Sequence, residues 1–210
     1  MSKVHVLVGG TDRYHDVLGA GLSLRDTLVK HAIPAALHMG FERFGDDYET
    51  DVDVYVVYAM WPRMTDAAQE ALAARVAGGT GLVVLHASNV VVHNDQDQWL
   101  TLVGSRFERH DPFMRMQVRI DVKHPVTEGI DDFEIDDEPY EVSWTGSPGT
   151  VLASFELNGT MHPLVYTLEH GKGRICYIAL GHDARCWGHP MFARLLVQST
   201  QWAGGNDAGN

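Results

Sequence analysis

Short apolar runs alternate along the chain with segments of helical period. Val4-His5-Val6-Leu7-Val8 is a largely β-branched run ended by Gly9-Gly10. Val17, Leu18, Leu22, Leu28 and Val29 follow at approximately helical spacing until Pro34 stops them. This predicts strand, glycine turn and helix. Ala35 to Met39 reads as a second short strand, and Asp53 to Tyr58 as a third, reached through Gly40 and an acidic loop from Asp46 to Asp51. Thr65 is placed to cap a helix in which Ala68, Leu72 and Val76 share one face and which Gly78-Gly79 closes. Leu82 to Leu85 makes a fourth strand. Buried strands alternating with amphipathic helices predict an α/β, flavodoxin-like fold: a parallel sheet with helices on both faces.

After Leu85 the rhythm changes. A short helix is expected from Asp97 to Val103, followed by an irregular, polar excursion over residues 104–149 lying across the sheet's edge. From Val151 regular structure resumes. Val151 to Glu156 and Pro163 to Leu168 flank an Asn158-Gly159 hairpin turn, and Gly171-Lys172-Gly173 leads into the apolar run Ile175 to Leu180. Pro190 begins a last helix whose Phe192, Leu195, Leu196, Ser199 and Trp202 form one buried stripe. The expected organisation is one domain over residues 1–205 with a fraying tail at 206–210.

Composition narrows the partners. Sixteen basic against 28 acidic residues give a net charge of −12 in 210 residues, and no Lys/Arg cluster offers to neutralise phosphates. Nucleic acid and membrane are therefore not expected as partners, and a homo-oligomer is left open. The first strand begins almost at once and no apolar run approaches a membrane span. With Cys176 and Cys186 the only cysteines, this suits a reducing cytoplasm better than a disulfide framework. Gly9-Gly10-Thr11 lacks the companions of a phosphate loop, so no nucleotide is expected.

The candidate chemistry is histidine chemistry, in a chain with 12 of them. His15 follows the first strand's glycine turn, His86 directly follows Leu85, and His182 follows Gly181. A parallel sheet delivers the carboxyl ends of its strands to one crevice, so the three are expected to converge there. Two roles stand open. Neutral imidazoles with a nearby carboxylate bind a divalent metal, zinc being the commonest for nitrogen-rich sets, and His15, His86 and His182 are the candidate ligands. Alternatively His86 and His182 act as a metal-free acid/base pair, with Glu138 reaching over the crevice from the excursion. Asp131, Asp132 and Asp136 read as solvated charges. His15, His110, Trp61, Trp187 and Asp183 are expected to bind substrate, the tryptophans by gripping the apolar face of a sugar ring. A serine hydrolase is disfavoured, because His86 occupies the turn where a nucleophile would sit, leaving Ser88 as the nearby hydroxyl.

The ordered set Gly9-Gly10, Tyr14-His15-Asp16, Gly81 to Ala87, Phe107-Glu108-Arg109-His110, His124 to Gly129, Asp137-Glu138 with Tyr140, and Gly171 to Arg174 runs on into Leu180-Gly181-His182-Asp183 with Trp187 and His189-Pro190. It resembles the ThuA-like, trehalose-utilisation family over nearly the whole chain. The resemblance implies a class I glutamine amidotransferase-like scaffold without the amidotransferase cysteine, consistent with His86. It places His15, His86, His110, Glu138 and His182 on the family's recurrent polar positions. The function it implies is a carbohydrate-catabolism enzyme acting on a disaccharide or glucoside, or its 3-keto derivative, by isomerisation, elimination or hydrolysis. The rival reading is a non-catalytic sugar-binding or regulatory module on the same scaffold.

Overall fold

The computed structural model describes residues 3–11, 13–41, 44 and 51–206. Most of the predicted acidic loop, at 46–50, and the tail from 207 onward lie outside the described residues. The strands are β1 (Val4–Gly10), β2 (Ala35–Met39), β3 (Val54–Met60), β4 (Gly81–Leu85), β5 (Ser105–His110), β6 (Met114–Ile120), β7 (Phe133–Asp137), β8 (Tyr140–Trp144), β9 (Thr150–Leu157), β10 (Thr160–His170) and β11 (Gly173–Ile178). The helices are α1 (Val17–Lys30), α2 (Asp66–Gly78), α3 (Asp97–Val103), α4 (Ala184–Trp187) and α5 (Pro190–Ala203).

One nine-stranded sheet in the order β2-β1-β3-β4-β11-β10-β9-β6-β7 organises the chain. Its first five strands are parallel and follow the flavodoxin order, which confirms the expected class. The remaining pairs, from β11 to β7, are antiparallel. Strands β3 and β4 are buried at every position, as near-continuous apolar runs between two helical layers must be. α1 and α5 share one face, and α2 and α3 the other. The caps follow the sequence: Thr65 accepts from the Ala68 N–H, and the stripe of α5 is buried at Phe192, Leu195, Leu196, Ser199 and Trp202.

The excursion is more regular than its sequence suggests. Residues 104–149 form four strands: β6 and β7 extend the main sheet, and β5 and β8 pair as a separate two-stranded sheet. Met116 and Val118 alternate into the core while Arg115, Gln117 and Arg119 between them are exposed. This is the half-buried pattern of a sheet flank, disguised by its charged outer residues. The two-stranded sheet lies against β10, where Trp144 meets Tyr166 edge-on and the Tyr166 hydroxyl donates to Ser105 Oγ at 2.7 Å. Both cysteines are free and buried.

The short 3-10 turn His86–Asn89 after β4 is tied back to the sheet by Ser88, which is fully buried. Its hydroxyl donates to the Leu85 carbonyl at 2.6 Å and accepts from the Ala59 N–H at 2.9 Å. Ser88→Ala would strand a buried N–H, and we expect it to lower stability by roughly 1 to 3 kcal/mol in urea unfolding. The wild-type protein should show no labelling by a serine-directed fluorophosphonate, because this hydroxyl is committed to the backbone. Unchanged stability or labelled Ser88 would contradict the assignment.

Candidate functional site

The carboxyl ends of β1, β4 and β11 deliver three imidazoles to one point. His15 sits in the turn before α1, whose N-cap Asp16 accepts from Gly19 N–H at 2.8 Å. His86 begins the turn after β4 in a left-handed backbone conformation, φ +47°. That is an unusual state for a non-glycine residue, of the kind that persists where surrounding contacts over-determine it. Here the Tyr177 hydroxyl donates to the His86 carbonyl at 2.9 Å, and Tyr140 stacks on the ring with centroids 4.2 Å apart. His182 follows Gly181, whose φ of +131° turns the chain out of β11.

His86 Nε2 lies 3.0 Å from His15 Nε2, and His182 Nδ1 lies 3.1 Å from the same nitrogen. Glu138, just past the end of β7, places Oε2 3.1 Å from His182 Nδ1 and 3.6 Å from His86 Nε2. His86 and His15 are buried, whereas His182 and Glu138 are partly open, at 21% and 12% side-chain exposure. The site therefore opens on the His182–Glu138 side.

The hydrogen-bond inventory of this cluster does not close. His86 Nδ1 is 2.7 Å from the Ala179 carbonyl, which can only accept, so Nδ1 carries the proton and a neutral His86 presents a lone pair at Nε2. His15 Nε2 has a single in-plane valence, an N–H or a lone pair, and cannot satisfy neighbours at both 3.0 and 3.1 Å. Glu138 Oε2 is close to His182 but poorly aligned with it, and is left buried without a hydrogen-bond partner among the described residues. One donor atom from each of His15, His86, Glu138 and His182 lies within 4.8 Å of the others. Four of the six separations among these atoms are 3.0 to 3.6 Å, near the edge of about 3.3 Å expected for a tetrahedron with metal bonds of 2.0–2.1 Å, and the other two are within 4.8 Å. The four residues form a group that could hold a metal ion.

Electrostatics agree with that donor set at His15 and Glu138. Burial, reinforced by the neighbouring His86 and His182 rings, drives His15 down from 6.5 to about 3, so it stays neutral with a lone pair available. Burial alone would raise the Glu138 carboxyl, but His182 and His86 outweigh it and hold the group well below the usual carboxylate range. The same contact with Glu138 raises His182.

The other expected site residues fall around this centre. His110, on the end of β5, has Nδ1 2.9 Å from the Asp111 carbonyl and 3.9 Å from Glu138 Oε1. Trp61, in a left-handed conformation at φ +55°, meets the exposed Tyr14 edge-on with centroids 5.7 Å apart. Trp187 is buried, donates to the Gly181 carbonyl at 2.7 Å and lies edge-on to Tyr58. Asp183 caps α4 and pairs with Arg185. A groove of about 1120 Å³, lined by Ile120, Val122, Glu128 and Asp132 among others, includes none of the four clustered side chains. Sequence reasoning gave no site role to Tyr58, Tyr140 or Asp137, although the last two stand in the motif around Glu138. The signal for Asp137 was the alternation of Phe133, Ile135 and Asp137, which puts this one acid on the buried face.

The sequence profile described as ThuA, trehalose utilisation, matches residues 44–203. Among solved structures, a ThuA-like protein from Parabacteroides merdae superposes with a TM-score of 0.87 at 17% identity, covering 100% of this chain and 92% of that one. A ThuA-like protein from Bacteroides uniformis gives 0.81 at 21% identity, covering 99% and 93%. A β-galactosidase from Bacillus circulans gives 0.72 at 15% identity, covering 97% of this chain but 31% of the galactosidase. At these identities the likeness is one of fold. No curated protein matches the sequence. No helix among the described residues is long and apolar enough to cross a membrane.

The low value for His15 has a thermodynamic consequence. Its folded pKa lies below its unfolded one, so the unfolded chain binds the extra proton between pH 6.5 and about 3. The stability contributed by keeping His15 neutral is complete above pH 6.5 and is lost as the pH falls toward 3. In chelator-treated protein, the stability of wild type relative to His15→Asn should therefore decline from pH 7 to pH 4 in urea titrations. A pH-independent difference would refute the burial argument.

Proposed function

Because the chain belongs to the ThuA, or trehalose-utilisation, family, we propose that it is a sugar-converting enzyme of carbohydrate catabolism. Its substrate would be a disaccharide or glucoside, or the 3-keto derivative of one. Family membership supports a sugar-related role. The observation that carries the enzymatic reading is the convergence of His15, His86, His182 and Glu138 within 4.8 Å at the strand ends. A solvated or merely structural set would not aim four donor atoms at one another in a site that leaves two of the four partly open.

When bound, a divalent ion, zinc first by the chemistry of this donor set, supplies a Lewis acid for a carbonyl or hydroxyl oxygen of the sugar. His86 is oriented by Ala179, so its lone pair points inward whatever the solvent does. His15, kept neutral by burial, contributes a second lone pair, and Glu138, kept ionised, contributes negative charge. His182 and Glu138 form the exposed side of the cluster and are the groups within reach of a substrate proton. A ketone acidifies the C–H beside it, so proton transfer at that carbon is the step these groups would serve, in isomerisation or elimination. His110, whose Nδ1 is 3.9 Å from Glu138 Oε1, would hydrogen-bond a substrate hydroxyl at the mouth. Tyr14 and Trp61 offer the apolar edge against which a sugar ring packs.

Elemental analysis of the purified protein should find about one divalent ion per chain, and chelation should abolish conversion of a 3-keto-disaccharide. Turnover that survives complete chelation would overturn the metal and leave His182 and Glu138 as a metal-free acid/base pair. His182→Ala should lower kcat by roughly 100-fold or more while the fold is retained. Bound sugar recovered chemically intact under all conditions would favour the non-catalytic module instead. Trp61→Ala should raise KM roughly three- to tenfold with little change in kcat; an unchanged KM would remove Trp61 from the sugar site.

A further inference from the structure

The carboxylate next to Glu138 has a different task. Asp137, the last residue of β7, is fully buried. Its Oδ2 accepts from the Gly181 N–H at 2.7 Å, and its Oδ1 accepts from the His182 N–H at 3.1 Å and the Glu138 N–H at 2.8 Å. The buried thiol of Cys186, on α4, also hydrogen-bonds to it, and burial and the Asp137 charge keep that thiol protonated. One side chain thus gathers the end of β7, the turn after β11 and helix α4.

We propose that Asp137 is the positioning residue of the centre: by clamping the Gly181-His182 and Glu138 amides to a single carboxylate, it fixes the 3.1 Å approach of His182 Nδ1 to Glu138 Oε2. The inference rests on the proposed function in taking that approach as part of a ligand set. The physical argument is one of connection. His182 comes from the parallel half of the sheet and Glu138 from the far antiparallel edge, with β10, β9 and β6 between their strands. Nothing in the hydrogen-bond ladder itself sets their separation. Asp137 does, because its two oxygens accept from the backbones of both residues. An asparagine there keeps one acceptor but turns an amide NH2, which can only donate, toward backbone donors, so it breaks the clamp at nearly constant volume. The Gly181 carbonyl is held separately by the Tyr58 hydroxyl at 2.9 Å and the Trp187 indole at 2.7 Å, so the turn keeps other supports when Asp137 is changed.

The test is cobalt(II) titration of the full chain, read in the visible d–d bands, beside crystal structures of the same proteins. Asp137→Asn should bind cobalt roughly 10- to 100-fold more weakly and with altered bands, as when a partner that orients metal ligands is lost. Cys186→Ala, which removes one donor, should move the same way, and Cys186→Ser, which restores one, should return toward wild type. A folded Asp137→Asn with wild-type affinity and bands overturns the proposal. Should that variant fail to fold, Cys186→Ala decides: weakening rescued by serine sustains the clamp, and wild-type behaviour overturns it. Should the wild-type chain bind no cobalt, the metal reading falls by itself and the crystal structures decide. A His182–Glu138 pair opened beyond hydrogen-bond distance in the variant sustains the clamp, and one unchanged at 3.1 Å overturns it.

Discussion

Parallel pairing forces strand ends of like polarity onto one edge of a sheet, and the rest of this molecule is arranged around that constraint. Val4 to Gly10, Val54 to Met60, Gly81 to Leu85 and Ile175 to Ile178 run side by side in register, so whatever follows each of them meets at the same rim. Polar groups are costly inside the sheet, where every residue of β3 and β4 is buried. At the rim the backbone is released from the ladder, and imidazoles find partners there. His86 takes the Ala179 carbonyl just past β11, and Tyr58 in β3 reaches the Gly181 carbonyl. The site is what the sheet's polarity leaves over once the apolar faces are covered.

Burial then decides the charge states. The deepest imidazoles are sealed against Tyr58 and Tyr140, and desolvation keeps His15 neutral. Toward the opening, His182 and Glu138 favour each other's charged forms, which raises the one and lowers the other. A neutral His15 inside and a His182–Glu138 pair at the mouth whose charged forms favour each other follow from position. This arrangement suits a substrate approaching from the open side, and a cation held among the four would have to displace the proton that Glu138 favours on His182.

Much of this was legible in the chain. The parallel half of the fold follows from apolar runs punctuated by glycine, and the meeting of His15, His86 and His182 follows from the polarity rule once those runs are recognised as strands. What escaped was the contribution of residues 104–149. Strands β6 and β7 carry apolar side chains on one face and charges on the other, so their segment reads as polar and irregular until tertiary context shows which face is covered. Glu138 could be suspected from its neighbours Pro139 and Tyr140. Its distance from His182 could not, because it depends on a pairing between elements more than 40 residues apart.

The two adjacent acids show how such a site is built from a strand's simplest property. Successive side chains on a strand point to opposite sides, so a carboxylate pair at the end of β7 is divided in direction. Asp137 turns into the interior and meets backbone donors, while Glu138 turns toward the rings. The pair needs no long-range signal to be split between support and site, only the arrival of β7 at the sheet's edge in the register set by Met114 opposite Asp137. A shift of that register by one residue would bury Glu138 against the Gly181 turn and expose Asp137 to the rings, whose reach is too short to replace it. The charged, half-hidden strand at the far edge of the sheet therefore sets the geometry of a centre whose histidines all come from the other side.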